Sequence, residues 1–147
     1  MPNSGIIVYP TDFSDVSLQS LDTARQLAEA LDAELHFIYV VEEPHIYTAL
    51  EMGVIPLPSE DELIKGASAR FKQMLEAHSL PADSVTKVIT GRSAKGIVAY
   101  AKKVGARMIV MTTHGYSGVE HILLGSTTEA VIRSAECPVL SVRAIEE

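Results

Sequence analysis

Cysteine is almost missing from this chain: among 147 residues only Cys137 is present, so no disulfide can form within it. A lone thiol suits a reducing cytosol, and the expectation is a cytoplasmic protein. The neighbours of Cys137, Glu136 and Pro138, offer no cation to hold a thiolate, so it reads as a small packing residue. No apolar run approaches the ~20 residues that span a bilayer. Residues 1–5 lack the basic and apolar regions of a signal peptide. Blocks of like charge are missing too. With a net charge of −7, non-specific nucleic-acid binding is disfavoured, and only a local basic patch would leave a route to it. The five histidines show no metal-ligand spacing. What is abundant is apolar: 47% of the residues are hydrophobic, which suits a globular core rather than disorder. A chain of this length is most simply one domain over residues 1–147.

Short apolar runs alternate with helical patterns. Residues 5–9 form the first run, and apolar character on both faces suits a parallel sheet. Pro10 has no N–H for a ladder, so the strand should stop there. Ser14 is placed to N-cap a helix, with Asp15 near the positive end of its dipole. Leu18, Leu21, Ala24, Leu27, Ala28 and Leu31 then recur at helical spacing. A second strand reads over residues 34–41, and His36 inside it is expected to be a packed or edge residue. Residues 42–58 carry three prolines and are long for a loop. Their Ile46, Tyr47 and Leu50 either cover the core or line a partner surface.

Ser59 should cap a second helix, with Glu60, Asp61 and Glu62 in its first turn. Its apolar stripe is Leu63, Ala67, Phe71, Met74 and Leu75. A third strand over residues 85–90 alternates apolar and polar, as a half-exposed edge does. Residues 91–96 have a phosphate-loop flavour but not the Walker order, and read as a structural turn. Ser93 is the expected cap of a third helix that ends at Lys102, Lys103 and Gly105. A fourth strand over residues 108–112 and a fifth from Pro138 to Arg143 flank the last helix. Right-handed crossovers through this order predict an α/β fold: a doubly wound, Rossmann-like, five-stranded parallel sheet with helices on both faces.

The most informative stretch runs from Ile109 to Ile132. It reads as a buried strand, a loop marked by Gly115 and Gly118, then a helix opening at Gly125-Ser126-Thr127. A helix N-terminus leaves backbone N–H groups unpartnered and carries partial positive charge, which suits phosphate. Gly125 would let the backbone approach a ligand closely. Ser126, Thr127 and Thr128 add hydroxyls that either cap the helix or touch phosphate oxygens. The simple alternative is a capped helix after an ordinary loop. Asp12 sits where the first strand ends, the side on which open α/β sheets bind ligands, although it could equally cap the turn.

This stretch resembles the nucleotide loop of the ATP-binding branch of the universal stress protein (UspA-like) family. That pattern is Gly, two residues, Gly, nine residues, Gly, then Ser or Thr. Gly115, the nine residues after it, Gly125 and Ser126 fit; the first glycine is replaced by Thr112. Residues 9–14 also resemble the family's first strand-loop. The resemblance covers nearly the whole chain and implies strand order 3-2-1-4-5. It implies that Pro10, Thr11 and Asp12 hold adenine and ribose, and that backbone near Val40 meets the adenine edge. It places Met111, Thr112, His114, Gly115, Gly125, Ser126 and Thr127 at the rest of the nucleotide. Mg²⁺ or Mn²⁺ would bridge the phosphates.

Three functions of different class follow. The first is an ATP-binding regulatory, stress-response module with an unidentified client protein. The second is a slow ATPase or self-phosphorylating enzyme, with His114, His121 and Glu120 as candidates by proximity only. No Lys or Arg lies between Met108 and Ala130, so the usual cationic phosphate clamp is missing there. The third is a nucleotide-free interaction protein. A homodimer is expected through the fifth strand, last in sequence and at a sheet edge in the implied order. The family resemblance implies the same dimer. With no tryptophan in the chain, bound adenine would stand out in the ultraviolet spectrum of purified protein.

Overall fold

The computed structural model describes residues 5–42, 53, 58–113 and 125–145. Its strands are β1 (Ile6–Pro10), β2 (Glu34–Val41), β3 (Val85–Thr90), β4 (Met108–Thr113) and β5 (Val139–Arg143). They form one parallel sheet in the order β3-β2-β1-β4-β5. The helices between them are α1 (Leu21–Leu31), α2 (Glu60–Ala77), α3 (Ser93–Val104) and α4 (Ser126–Ser134). The α/β class, the parallel sheet and its strand order are those expected.

The apolar runs are explained by burial on two faces. Side chains alternate along a strand, so Ile7 and Tyr9 join Phe37, Leu21, Phe71 and Met74 on the α1 and α2 side. Val8 joins Ile38, Ile97, Ile109, Met111 and Val131 on the α3 and α4 side. Ile7, Val8 and Tyr9 are fully buried. Each large apolar side chain placed this way contributes about 1.5–3 kcal/mol. His36 is packed, as expected: it is buried, and its Nδ1 lies 2.8 Å from Tyr100 Oη. β3 is an edge strand, as its alternation suggested.

Several local expectations are corrected. β1 includes Pro10 as its last residue. A 3-10 turn, Ser17–Ser20, precedes α1, so Leu18 lies in that turn and Ser14 does not cap the α-helix directly. The Ser14 hydroxyl instead accepts the Ser17 N–H at 3.1 Å and starts the 3-10 turn. Ser93 does not cap α3 with its own oxygen. Its N–H and hydroxyl donate to Glu42 Oε1 at 3.3 and 2.7 Å, so a carboxylate just after β2 holds the helix start. Ser59 caps α2 as predicted, accepting the Glu62 N–H at 3.2 Å. Gly105 ends α3 in the left-handed conformation, at φ 63°, after Lys102 and Lys103. β4 runs one residue further than expected, to Thr113, and β5 starts one later, at Val139.

The sheet opens between β1 and β4, and Pro10 explains where. Thr11 N–H donates to Ile38 O on β2, while Ile6 O accepts from Arg107 N–H beside β4. Alternation therefore aims position 10 at β4, where proline has no N–H to give. The β1–β4 register pairs only Ile7 with Met108 and Val8 with Ile109. Beyond Val8 the two carboxyl ends diverge, and chain winding reverses between these same strands.

Candidate functional site

A cavity of about 390 Å³ occupies that divergence. Pro10, Thr11 and Asp12 form one wall, at the end of β1. Val40, with Ile38 and Tyr39, comes from β2, and Met111 and Thr112 come from the end of β4. Gly125, Ser126 and Thr127 bring the start of α4 to the same space. Every predicted site residue within the described part of the chain thus lines one space. His114 and Gly115 lie outside the described residues, as do Gly118, Glu120 and His121. So does nearly all of the 42–58 insert, including Ile46, Tyr47 and Leu50.

The Asp12 side is built from short-range hydrogen bonds. Asp12 Oδ1 accepts the Ser14 N–H at 3.0 Å and the Ser14 hydroxyl at 2.5 Å. Asp12 therefore does cap its turn, and it remains exposed to the cavity mouth. Partial burial pushes its carboxyl upward, but the hydrogen bonds from Ser14 outweigh that and hold it below the usual carboxylate value. Thr11 is buried, its hydroxyl 2.8 Å from Ser17 Oγ and accepting the Phe13 N–H at 2.9 Å. Phe13 itself has φ 68°, uncommon for a residue with a side chain. Its ring rests between Tyr39 and Phe71, and the Arg70 guanidinium lies 4.5 Å from its centre. Those contacts hold the loop that carries Asp12.

Beneath the cavity lies a polar cluster that the sequence did not announce. Thr112 Oγ1 is 2.6 Å from Ser20 Oγ and 3.1 Å from Ser17 O. Ser20 donates to Tyr9 Oη at 3.0 Å, and Tyr9 donates to Ser17 O at 2.5 Å. Burial pushes the Tyr9 phenol up, with hydrogen bonds to Ser20 and Thr112 working against it. The hydroxyl at position 112 thus ties β4 to the 3-10 turn, a tie that glycine could not make.

Where α4 meets the cavity, no side chain among the described residues caps its first turn, Ser126 and Thr127 included. Its free N–H groups and partial positive charge are therefore available to the cavity. Among the described residues no Lys or Arg lines the space, and Asp12 is the only charged one that does. The lining thus combines the backbone donors of the α4 start and the Asp12 carboxylate with apolar Ile38, Val40, Ile97 and Met111. Thr128 lines it too, as its place beside Ser126 and Thr127 suggested, whereas Val16, Ser17, Ile38, Tyr39, Ser93 and Ile97 were not expected there. Ile97 belongs to the core as well and serves both. Ser93 reaches the cavity through α3, and no local pattern reports that. Ser17 was within reach, three residues beyond the 9–14 motif.

The family model for the universal stress protein family matches residues 4–143. The chain belongs to the universal stress protein family. It is 41% identical to the universal stress protein MJ0531 of Methanocaldococcus jannaschii over 137 residues, 93% of this chain and 81% of that one. It is 32% identical to YxiE of Bacillus subtilis over 139 residues, 90% of this chain and 94% of that one. Among solved structures, MJ0577 superposes with a TM-score of 0.69 at 25% identity, covering 98% of this chain and 99% of that one. A universal stress protein in complex with cAMP superposes at 0.60 with 26% identity, covering 96% and 98%.

Proposed function

We propose that the chain is a nucleotide-binding regulatory module of the stress response, taking ATP in the β1–β4 cavity and acting as a homodimer joined along β5. The single observation that carries this reading is the mixed lining of the cavity. It joins the start of α4, which suits an anion, to Asp12, which suits hydroxyl donors such as those of a ribose. Apolar Ile38, Val40 and Met111 in the same lining suit a flat base. Phosphates would lie at Gly125, Ser126 and Thr127, and ribose and adenine at Pro10, Thr11, Asp12 and Val40. Among the described residues no three His, Cys, Asp or Glu gather as a metal site. A Mg²⁺ or Mn²⁺ would therefore be held chiefly by the phosphates. The cAMP complex of a structural relative supports an adenine nucleotide as the ligand class. Client protein and cytoplasmic location belong to the same proposal.

The test is calorimetry of ATP and cAMP against wild type and Gly125→Val. Gly125 has φ −51° and ψ 146°, close to a conformation that side-chain-bearing residues adopt, so the variant should fold. Its Cβ should block close backbone approach and abolish ATP binding. Unchanged ATP affinity in the variant would remove the phosphate assignment. No binding of either nucleotide to wild type would favour the nucleotide-free interaction protein.

A further inference from the structure

A second cavity, of about 460 Å³, lies along the edge of β3 and shares no lining residue with the first. Lys87 from β3 and Arg92, Lys95 and Lys103 at and along α3 line it, and among the described residues no Asp or Glu does. In a chain of net charge −7, this gathers four of the twelve Lys and Arg. All four are exposed, and none is in an ion pair among the described residues. Positions 92, 95 and 103 fall on one helical face, so their charges form a row about 16 Å long rather than converging on a point.

The row runs beside an open strand edge. Gly91 N–H donates to Val41 O on β2 at 2.9 Å. Alternation therefore turns the N–H and C=O groups of Thr86, Val88 and Thr90 outward. Since β3 ends the sheet, these groups have no ladder partner among the described residues. A lysine on an edge strand commonly serves to repel other strands, and Lys87 alone would need no further explanation. Three more cations on the neighbouring helix face do, because they would attract an acidic strand as strongly as they discourage a basic one.

We propose that this groove docks an extended acidic peptide segment of a partner protein, which adds as a strand beside β3. Backbone pairing with Thr86, Val88 and Thr90 supplies register, and carboxylates on alternate residues meet Lys87, Lys95, Lys103 and Arg92. The spread of the charges disfavours a single phosphate, and the acidity of the whole chain disfavours nucleic acid.

Fluorescence anisotropy with a labelled peptide of about ten alternating Glu and Val residues tests this. Wild type should bind it saturably below roughly 1 mM, more weakly as salt rises. Lys95→Glu with Lys103→Glu should weaken binding by about tenfold or more. Thr86→Pro removes an outward donor without touching the β2 ladder, and should weaken it as well. N-methylation of alternate peptide bonds should abolish binding while leaving every charge in place. Circular dichroism on each variant checks the fold. The proposal is overturned by no saturable binding to wild type, or by equal binding of the N-methylated peptide. Inorganic polyphosphate or an oligonucleotide binding as tightly as the peptide would also overturn it, as would self-association of the chain lost in the double lysine variant.

Discussion

Asp12 accepts two hydrogen bonds from Ser14 and also faces the cavity, so its turn-capping and ligand-facing roles coexist in one side chain. They can be separated. Asp12→Ala should weaken ATP by roughly ten- to a hundredfold, the value of ~1.5–3 kcal/mol for a hydrogen bond to a charged group. Asp12→Asn keeps an acceptor for the Ser14 N–H and should fold, losing affinity and only the small stability that the ionised carboxylate adds at neutral pH. Its lowered carboxyl fixes the sign of the pH effect. A depressed folded value stabilises the fold above the ordinary value of 3.8 and ceases to do so as pH falls through the lower, folded value. Acid unfolding of wild type and Asp12→Asn should therefore converge only below that range. At position 112, Thr112→Val keeps the shape and removes the hydroxyl shared with Ser20 and Ser17 O. The loss should be about 1 kcal/mol in urea unfolding, since Tyr9 still serves both groups. No loss of stability would mean that the hydroxyl is idle in the fold.

At the scale of elements, the start of α4 and the end of β1 define what the cavity can do. The α4 terminus offers backbone donors, and neither the described cavity lining nor the stretch from Ile109 to Glu129 supplies Lys or Arg. Donors that bind ground state and transition state alike lower Kd without speeding chemistry. Phosphate release by pure protein with Mg²⁺ should thus run far below ~1 per second, the low end of ordinary enzymes. A robust rate abolished by His114→Ala or Glu120→Gln would promote the enzyme reading. Much of this element-level picture was legible from the chain. Pro10 marked the place where the β1 ladder ends, Ser59 the start of α2, and Gly105 the end of α3. Ser93 was misread because its partner, Glu42, lies 51 residues away, and side-chain reach across elements leaves no periodic trace.

For the whole molecule, the two sheet edges differ in chemistry. β3 carries Lys87 and faces a basic groove, whereas β5 exposes Leu140, with Ile145 beyond it and Ile132 on α4 also uncovered. Apolar exposure beside an unpaired strand suits a second copy, paired about a two-fold axis. Ala144 N–H donates to Thr113 O, so alternation turns the N–H of Ser141 outward and that of Leu140 toward β4. Ser141→Pro should then split the dimer and leave a folded monomer, while Leu140→Pro should damage the sheet itself. Light scattering at micromolar concentration decides this. A monomeric wild type, or a Ser141→Pro dimer as stable as the parent, would exclude pairing through β5. Among the described residues no helix is long and apolar enough to cross a membrane.

The sequence by itself determined the class of fold, because short apolar runs and period-3.6 stripes take turns along the chain on both sides of the 42–58 insert. It also determined which residues were chemically equipped for a ligand, since Asp12, Gly125 and Ser126 declare themselves by type and by position at element ends. Only the tertiary structure decided that these residues meet. Winding reversal between β1 and β4 brings together segments about a hundred residues apart, and local pattern carries no information on strand order. Tertiary structure alone also placed Ser93 and Ile97 at the cavity, joined Thr112 to Ser20, and aligned Lys87 with the cations of α3. Each of these depends on distances across the sheet, and a one-dimensional pattern records only distances along the chain.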